Sequence, residues 1–437
     1  MIRRVKKVKK FFNRLGPGFV TGASDDDPTG IATYTQTGAL FGYQQVWTAP
    51  FSLPFMVTVQ EISGRIGIVT GRGLAAIIHK HYPRPILLII VFSFLITNII
   101  SIGANLGAMT SSLLLVVNPS SVDTTNASLK TEFIVVITAM TIGIIALQIL
   151  VPYKAYMKIL KYLALSLLAY IAAAFFVQQD LGKIAASLIP TITFNQEYLL
   201  NIVAIFGTTI SPYLFFWQTG QEVEEAVHHK QIREMNKGRP KMSISNIKRM
   251  RKDTVIGMFF SNLVMFFIII TAAATLHTAG ITDIKTATDA AQALEPFAGN
   301  LASALFALGI VGTGLLAIPV LAGSASYAVS EFFNWKAGLS KTARQAVGFY
   351  SVIALSILIG LFMNFLGIPI FKGLYYAAML NGLIAPPIIF LMLRISSNKK
   401  IMGPYANSRK INVLGYTLFI FMTLGAILLL ASFLPWF

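Results

Sequence analysis

The sequence has no cysteine, only five histidines and few charged residues, which make up 12% of its 437 positions. Without cysteine the chain can form neither disulfide bonds nor thiolate metal sites. Soluble globular domains carry roughly 25% charged residues, so the low charge excludes that class. Hydrophobic residues account for 55% of the chain, and its mean hydropathy is +0.69. These values are typical of an integral membrane protein.

Long apolar stretches run through the whole sequence. A helix needs about 20 apolar residues to cross the hydrocarbon core of a bilayer. Eleven stretches meet or approach that length, and no Pro/Gly/Ser-rich linker separates them, so we predict a single all-α membrane domain over residues 1–437. The eleven predicted spans are Gly16–Leu40, Val46–Ile62, Ile86–Val117, Phe133–Leu150, Tyr156–Val177, Leu199–Thr219, Val255–Leu276, Leu301–Val329, Val347–Phe365, Leu374–Leu393 and Val413–Phe433.

Basic residues are distributed unevenly between the predicted loops. If the N-terminus is cytoplasmic, the inside segments hold 31 of the 35 lysines and arginines, seven of them in the basic segment 1–15. Such an excess is typical of the cytoplasmic loops of membrane proteins. We therefore predict a multi-pass protein of the cell membrane with its N-terminus inside and its C-terminus outside. This bias and contact with anionic lipid account for the net charge of +18, so we expect no nucleic-acid partner.

The first predicted span contains Asp25, Asp26 and Asp27, followed by Pro28. Carboxylates at membrane depth are costly and usually mark a functional site. Proline lacks a backbone N–H, so the carbonyl four residues earlier loses its helical partner. Secondary transporters build cation sites from interrupted helices of this kind. We predict that the first span is unwound here and that Asp27 binds a cation.

A similar interruption recurs in the sixth span, where Thr208 and Ser211 lie beside Pro212. Because the two prolines are five spans apart, their segments have opposite orientations, which indicates an inverted repeat. We predict repeat one over about residues 16–177, repeat two over about 199–393 and an additional helix over about 412–435. Helices 1 and 6 would both be unwound at mid-membrane and would supply the two halves of one site.

Other polar residues near the interruptions are further candidates. Asp25 and Asp26 could line a cytoplasmic vestibule that attracts cations, or could simply be solvated there. Hydroxyl groups in membrane helices often bond back to the preceding turn, but the position of Thr208 and Ser211 beside a proline makes them candidate ligands. Further along the same segment, Tyr213 is another candidate for the vestibule and Gln218 another candidate ligand. We expect four glutamates to lie at the cytoplasmic surface or in the following loop, namely Glu61, Glu222, Glu224 and Glu225.

Soft ligands are missing near both interruptions, where the sequence has no Cys, Met or His. Thioether and imidazole groups favour transition metals, whereas carboxylate, carbonyl and hydroxyl oxygens suit hard ions. Magnesium is often held by one or two carboxylates together with retained water. The residues therefore indicate Mg²⁺. Proton-coupled carriers usually need titratable groups along a relay. The third span has no ionisable residue, so we expect no proton coupling.

The segments Gly16–Gly18, Asp27–Gly30 and Gly64–Gly71 resemble the first two helices of the NRAMP family of divalent-metal transporters. The resemblance extends over most of the chain and is specific in spans 1, 2 and 6. It implies a LeuT-type fold, alternating access and uptake of divalent cations into the cytoplasm. It also implies that the metal site lies at the positions of Asp27, Gly30, Thr208, Ser211 and Gln218.

The chain departs from the family pattern at several of these positions. The family motif Asp-Pro-Gly-Asn ends here in Thr29–Gly30. In the sixth helix the family has Ala and Met-Pro-His, where this chain has Thr208 and Ser211–Tyr213, and a second family histidine falls at Gln218. The acidic residues of the family's third helix are missing as well. In these departures the chain resembles the divergent NRAMP-related branch that is associated with magnesium.

We therefore expect a secondary transporter for divalent metal ions, with Mg²⁺ as the main substrate and Mn²⁺ tolerated. We expect no enzymatic activity, no cofactor and a monomer as the functional unit. Three alternatives stay open: a proton-coupled Mn²⁺ or Fe²⁺ importer, a carrier of a trivalent ion such as aluminium, and an amino-acid or amine symporter on the same fold. An embedded enzyme or sensor is more remote, because the sequence offers no catalytic constellation based on Cys, His or Ser.

Overall fold

The computed structural model describes residues 16–118, 131–151, 153–241, 243–295 and 299–433. The basic segment 1–15 and the last residues of the predicted additional helix lie outside the described residues. Within these ranges the chain forms helices and connecting loops, and its only extended pairing is one isolated bridge between Glu234 and Lys237. The prediction of an all-α protein is confirmed.

The helices are numbered here in chain order. Those that precede the sixth predicted span are α1 (Pro17–Asp25), α2 (Pro28–Phe41), α3 (Thr48–Thr70), α4 (Leu74–His81), α5 (Arg84–Val117), α6 (Thr131–Leu150), α7 (Tyr153–Leu163), α8 (Leu168–Phe176) and α9 (Leu181–Ser187). Those that follow are α10 (Gln196–Thr209), α11 (Pro212–His228), α12 (Ile244–Ala272), α13 (Ala287–Gln292), α14 (Ala302–Phe332), α15 (Val347–Met363), α16 (Ile370–Ser397), α17 (Lys399–Met402) and α18 (Arg409–Ala431).

Seven helical segments of the described chain are long and apolar enough to cross a membrane. They are α5, α6, the α10–α11 pair, α12 with its π-helical extension to His277, α14, α16 and α18. The apolar helix α15 is shorter, with 17 residues. The three remaining predicted spans correspond to α3, to the interrupted pair α1–α2, and to α7–α8 with the 3₁₀ turn Ala164–Leu167 between them. The eleven predicted spans therefore coincide with helices.

The long helix α5 shows how the fold separates lipid from interior. Its outward side chains Ile89 and Phe92 are 66% and 61% exposed, as expected for residues that contact lipid tails. Its polar residues are buried on the opposite side, where the Asn98 amide donates hydrogen bonds to the Leu321 carbonyl at 3.0 Å and to the Ser324 hydroxyl at 2.9 Å. Polar groups at membrane depth need such partners, because hydrocarbon offers none.

Helix α1 packs closely against α12. A Cβ atom on Gly22 would lie 2.2 Å from the carbonyl carbon of Gly257, so the two backbones touch there. The Asp253 carboxylate accepts hydrogen bonds from the N–H groups of Gly16 and Gly18, each at 2.8 Å. These N–H groups have no partner within the helix, and an acid at this end also complements the helix dipole. The start of α1 is thereby fixed to α12.

Glu61 is buried in α3 rather than exposed at a surface. Its carboxylate accepts hydrogen bonds from Arg65, one turn later, at 3.1 Å and from Arg251 of α12 at 2.8 Å. The charge of Arg65 is thereby paired inside the protein. Helix α3 continues to Thr70, past the predicted end of the second span at Ile62, and ends at Gly71, whose backbone is left-handed.

Candidate cation site at two helix interruptions

The first interruption consists of two residues between α1 and α2. Asp26 has φ −86° and ψ 51°, and Asp27 has φ −71° and ψ 172°, so neither is helical. Pro28 is the first residue of α2, a position at which no N–H is required. The interruption thus lies where the Asp-Pro pair predicts it.

The second interruption has a similar backbone conformation. Ile210 has φ −120° and ψ 54°, and Ser211 has φ −77° and ψ 132°, after which Pro212 begins α11. Two interruptions with the same order of backbone conformations, five spans apart, agree with the predicted inverted repeat. The prediction that helices 1 and 6 are unwound is confirmed.

The two interruptions lie next to each other. A Cβ atom on Gly30 would be 3.0 Å from the Asp25 carbonyl oxygen and 3.4 Å from the Thr208 hydroxyl oxygen. The absence of a side chain at Gly30 therefore lets the start of α2 approach the end of α10. Asp27, Gly30 and Thr208, three of the predicted site residues, are brought together here, and Asp27 and Thr208 are 3% and 2% exposed.

Asp27 is the N-cap of α2. One of its carboxylate oxygens accepts a hydrogen bond from the Gly30 N–H at 2.8 Å, and the other accepts one from the Asn105 amide of α5 at 2.8 Å. The Thr29 hydroxyl donates to the Asn105 carbonyl oxygen at 2.9 Å and so orients the amide toward Asp27. Each carboxylate oxygen retains acceptor capacity for a cation.

Asn105 was not among the predicted site residues. In the sequence, Asn105 is distinguished only as one of the few polar residues of the apolar third span. A membrane-buried amide needs a partner, but a sequence does not say which partner it has. The structure supplies that partner, the carboxylate of Asp27.

Both carbonyls that lose their helical partner to a proline receive a hydroxyl instead. Pro28 leaves the Ser24 carbonyl unpaired, and the Tyr213 hydroxyl donates to it at 2.6 Å. Pro212 leaves the Thr208 carbonyl unpaired, and the Ser211 hydroxyl donates to it at 2.7 Å. Ser211 thus bonds back to its own helix, and Tyr213 lies at the end of α1 rather than in an open vestibule.

Asp25 and Asp26 are fully buried and face α12. The Ser261 hydroxyl of α12 lies 2.8 Å from a carboxylate oxygen of Asp25 and 3.3 Å from one of Asp26. The structure therefore places these two acids inside the protein, not in the solvated vestibule considered from the sequence. None of the ion pairs formed by the described residues involves Asp25, Asp26 or Asp27.

Gln218 lies more than a helical turn from the interruption, on the side where α1 begins. Its carbonyl oxygen accepts a hydrogen bond from the Thr21 hydroxyl at 2.5 Å, and its amide donates to Glu222 at 3.0 Å. Helix α11 continues to His228, and Glu222 and Glu224 are 5% and 0% exposed. Two of the glutamates expected in a cytoplasmic loop are thus part of the protein interior.

Comparisons with known proteins agree with this architecture. The family model described as Natural resistance-associated macrophage protein-like (Nramp) matches residues 18–432. The chain is similar to the divalent metal cation transporter MntH of Klebsiella pneumoniae strain 342, with 26% identity over 425 residues that cover 95% of this chain and 92% of the relative.

Solved structures show the same fold at low sequence identity. The manganese transporter of Eremococcus coleocola, in complex with an aromatic bis-isothiourea substituted compound, superimposes with a TM-score of 0.70 at 16% identity, over 97% of this chain and 87% of that one. The inward-facing conformation of Mhp1 matches with a TM-score of 0.51 at 12% identity, over 95% of this chain and 89% of that one. The fold is thus the LeuT-type membrane fold.

Proposed function

Because the chain belongs to the Nramp family, we propose that it is a secondary transporter that carries divalent metal ions into the cytoplasm by alternating access, without coupling to protons. Mg²⁺ is its main substrate, and Mn²⁺ is tolerated. The observation that carries this proposal is the buried carboxylate of Asp27 at an interrupted helix, beside Gly30 and the Thr208 hydroxyl. Related proteins named for divalent metal cation and manganese transport support the substrate class.

The chemistry of the neighbouring groups supports a hard ion. Asp27 and the Thr208 hydroxyl provide oxygens, and the positions where the family resemblance implies Met and His hold Ser211 and Tyr213. Mg²⁺ prefers oxygen ligands and keeps part of its water shell. A site with one carboxylate and several neutral oxygens therefore suits Mg²⁺ better than an ion that gains from a thioether.

An entry route is supported by a cavity of about 230 Å³ near the end of α2. Ala32 lies in its wall, two residues after Gly30, and Glu197 and Asp283 add negative charge against a single basic residue, Lys372. Acidic groups at the mouth of a cleft raise the local concentration of cations. On the opposite side α1 is packed against α12, so the ion would enter through the cavity and leave when α1 moves away.

The distribution of basic residues supports an inside N-terminus and an outside C-terminus, which makes the cavity extracellular. Inward transport is then favoured by a negative membrane potential, worth about 2.3 kcal/mol per charge per 100 mV. We propose a monomer as the transporting unit.

Transport by purified protein tests this proposal. The protein is reconstituted into liposomes that contain a magnesium-sensitive dye, and a second set contains a pH dye. We expect Mg²⁺ influx without acidification, and no influx with Asp27→Ala. Mn²⁺ influx that is accompanied by acidification, with no Mg²⁺ signal, would overturn the proposal.

A second candidate is a proton-coupled Mn²⁺ importer, favoured by one observation. Asp25 and Asp26 are buried without an ion-pair partner among the described residues, and buried acids in transporters often carry protons. The pH dye in the same experiment separates the two candidates, because only this one predicts acidification that depends on the metal ion.

A further inference from the structure

The acid pair Asp25–Asp26 is a separate locus from Asp27. Asp27 bonds to Gly30 and to Asn105 of α5, whereas Asp25 and Asp26 bond to Ser261 of α12. The interrupted helix therefore presents carboxylates toward two different helices. The divalent site proposed above uses only the first of these loci.

The acid pair lacks the hydrogen bonds that its burial requires. Ser261 has one hydroxyl proton for two carboxylates, at 2.8 and 3.3 Å. The other oxygen of each acid, Oδ1 of Asp25 and Oδ2 of Asp26, is buried without a hydrogen-bond partner among the described residues. Buried carboxylates in this condition are costly unless a proton or a cation neutralises them.

Tyr34 provides an independent indication of a missing ligand. It is 0% exposed, and its hydroxyl has no hydrogen-bond partner in the described part of the chain. The edge of its ring lies beside Gly30, where the Asp25 carbonyl oxygen also lies. A buried tyrosine hydroxyl normally has a partner. Together with Ser261, the described residues therefore offer three buried, unpartnered oxygens and one hydroxyl on or next to α1, α2 and α12, and such oxygens can coordinate a cation.

The charge of the whole region points to a monovalent ion. The three aspartates carry at most three negative charges, and a divalent substrate at Asp27 offsets two of them. A second divalent ion would therefore leave an uncompensated positive charge in a low-dielectric interior, whereas a monovalent ion would not. Interrupted helices of secondary transporters can coordinate Na⁺ in this manner through carbonyl and side-chain oxygens.

We propose that Asp25, Asp26, Ser261 and Tyr34 form a second cation site that binds Na⁺ beside the divalent ion at Asp27. Na⁺ is then transported together with the divalent ion, and the inward Na⁺ gradient adds to the driving force. This site goes beyond the proposed function and does not depend on which divalent ion the protein carries.

Binding of radioactive Na⁺ to the detergent-purified protein tests this site directly. We expect wild-type protein to bind Na⁺, Asp26→Asn to lose binding, and Ser261→Ala to weaken it about 10- to 100-fold, the usual effect of losing a group that supports a metal site. Thr271→Val is the matched control, because Thr271 is also buried on α12 but lies ten residues further along. It should bind Na⁺ like the wild type.

Divalent-ion uptake into liposomes provides the second readout. We expect uptake to rise when external choline is replaced by Na⁺, and this rise to disappear in Ser261→Ala. Absence of Na⁺ binding to the wild type, or uptake that responds to pH but not to Na⁺, would overturn the second site. Absence of Na⁺ binding does not bear on the proposed function, which requires Mg²⁺ influx without acidification. Uptake that responds to pH would count against both proposals, and Mg²⁺ influx without acidification then separates them.

Discussion

The two helix interruptions share a backbone and differ in chemistry. Each has a two-residue gap with the same order of backbone conformations, a proline at the start of the next helix and a hydroxyl that donates to the carbonyl left free by the proline. The first gap region carries three carboxylates, whereas the second has only the neutral residues Ile210 and Ser211. The inverted repeat thus supplies a symmetric scaffold, and one half carries the charge.

This difference explains how a symmetric fold makes an asymmetric site. The interrupted backbone is set by proline and by local hydrogen bonds, which both repeats provide. Cation binding needs a net negative charge in a dry environment, which the first interruption provides through Asp27 and its neighbours. The second interruption contributes the neutral oxygen of Thr208 beside Gly30.

The largest expected effect comes from removing the charge of the first interruption. Asp27→Asn keeps a side-chain oxygen that can cap α2 but removes the negative charge, and Asp27→Ala removes both. We expect both variants to lose divalent-ion uptake in liposomes, because the neutral side chain no longer offsets dehydration of the ion. Only Asp27→Ala should also lose stability, by about 1 kcal/mol for the missing cap. Thermal unfolding in detergent checks the difference, and uptake retained by Asp27→Asn would show that the charge is not required.

The glycine contacts of the two interrupted helices should give the next largest effect. A Cβ on Gly22 would meet the Gly257 backbone at 2.2 Å, and one on Gly207 would meet the Ala378 carbonyl oxygen at 2.1 Å. Gly22→Ala and Gly207→Ala should each destabilise the protein by about 1–3 kcal/mol through overpacking. Gly143→Ala is the control, since a Cβ there has no neighbour within 4 Å. Unfolding temperatures close to that of the control would contradict these contacts.

Asn105→Ala should have an intermediate effect that is confined to the first interruption. It removes the amide that bonds Asp27 at 2.8 Å, and groups that orient metal ligands typically contribute 10–100-fold in affinity. We therefore expect the concentration of Mg²⁺ for half-maximal uptake to rise by about that factor. Asn98→Ala is a matched control on the same helix, because Asn98 bonds to α14 instead. An equal rise in both variants would indicate a general packing defect.

The smallest expected effects come from the two hydroxyls that replace the missing helical bonds. Tyr213→Phe frees the Ser24 carbonyl and Ser211→Ala frees the Thr208 carbonyl, so each should cost about 1 kcal/mol of stability. Ser211→Met introduces a thioether next to the site and should strengthen uptake of Mn²⁺ or Cd²⁺ relative to Mg²⁺. Unchanged metal preference in Ser211→Met would contradict the ligand argument.

Local sequence signals predict the fold and the interruptions well. Asp27-Pro28 and Ser211-Pro212 place both gaps at the observed residues, because a proline acts on its own helix. The partners of the acids are not predictable in this way. Ser261 is 236 residues from Asp25 and Asn105 is 78 residues from Asp27, so their pairing depends on tertiary packing. The pairing of Glu61 with Arg251 also depends on tertiary packing, so the sequence does not predict it.

Competition between the two candidate substrates tests the central claim, that the charged oxygen site at the first interruption selects a hard divalent ion. Mn²⁺ uptake into liposomes is measured while external Mg²⁺ is increased, with wild-type protein and with Ser211→Met. Our account predicts that Mg²⁺ inhibits Mn²⁺ uptake competitively in the wild type and less effectively in Ser211→Met. Mn²⁺ uptake that is insensitive to Mg²⁺ in the wild type would contradict it.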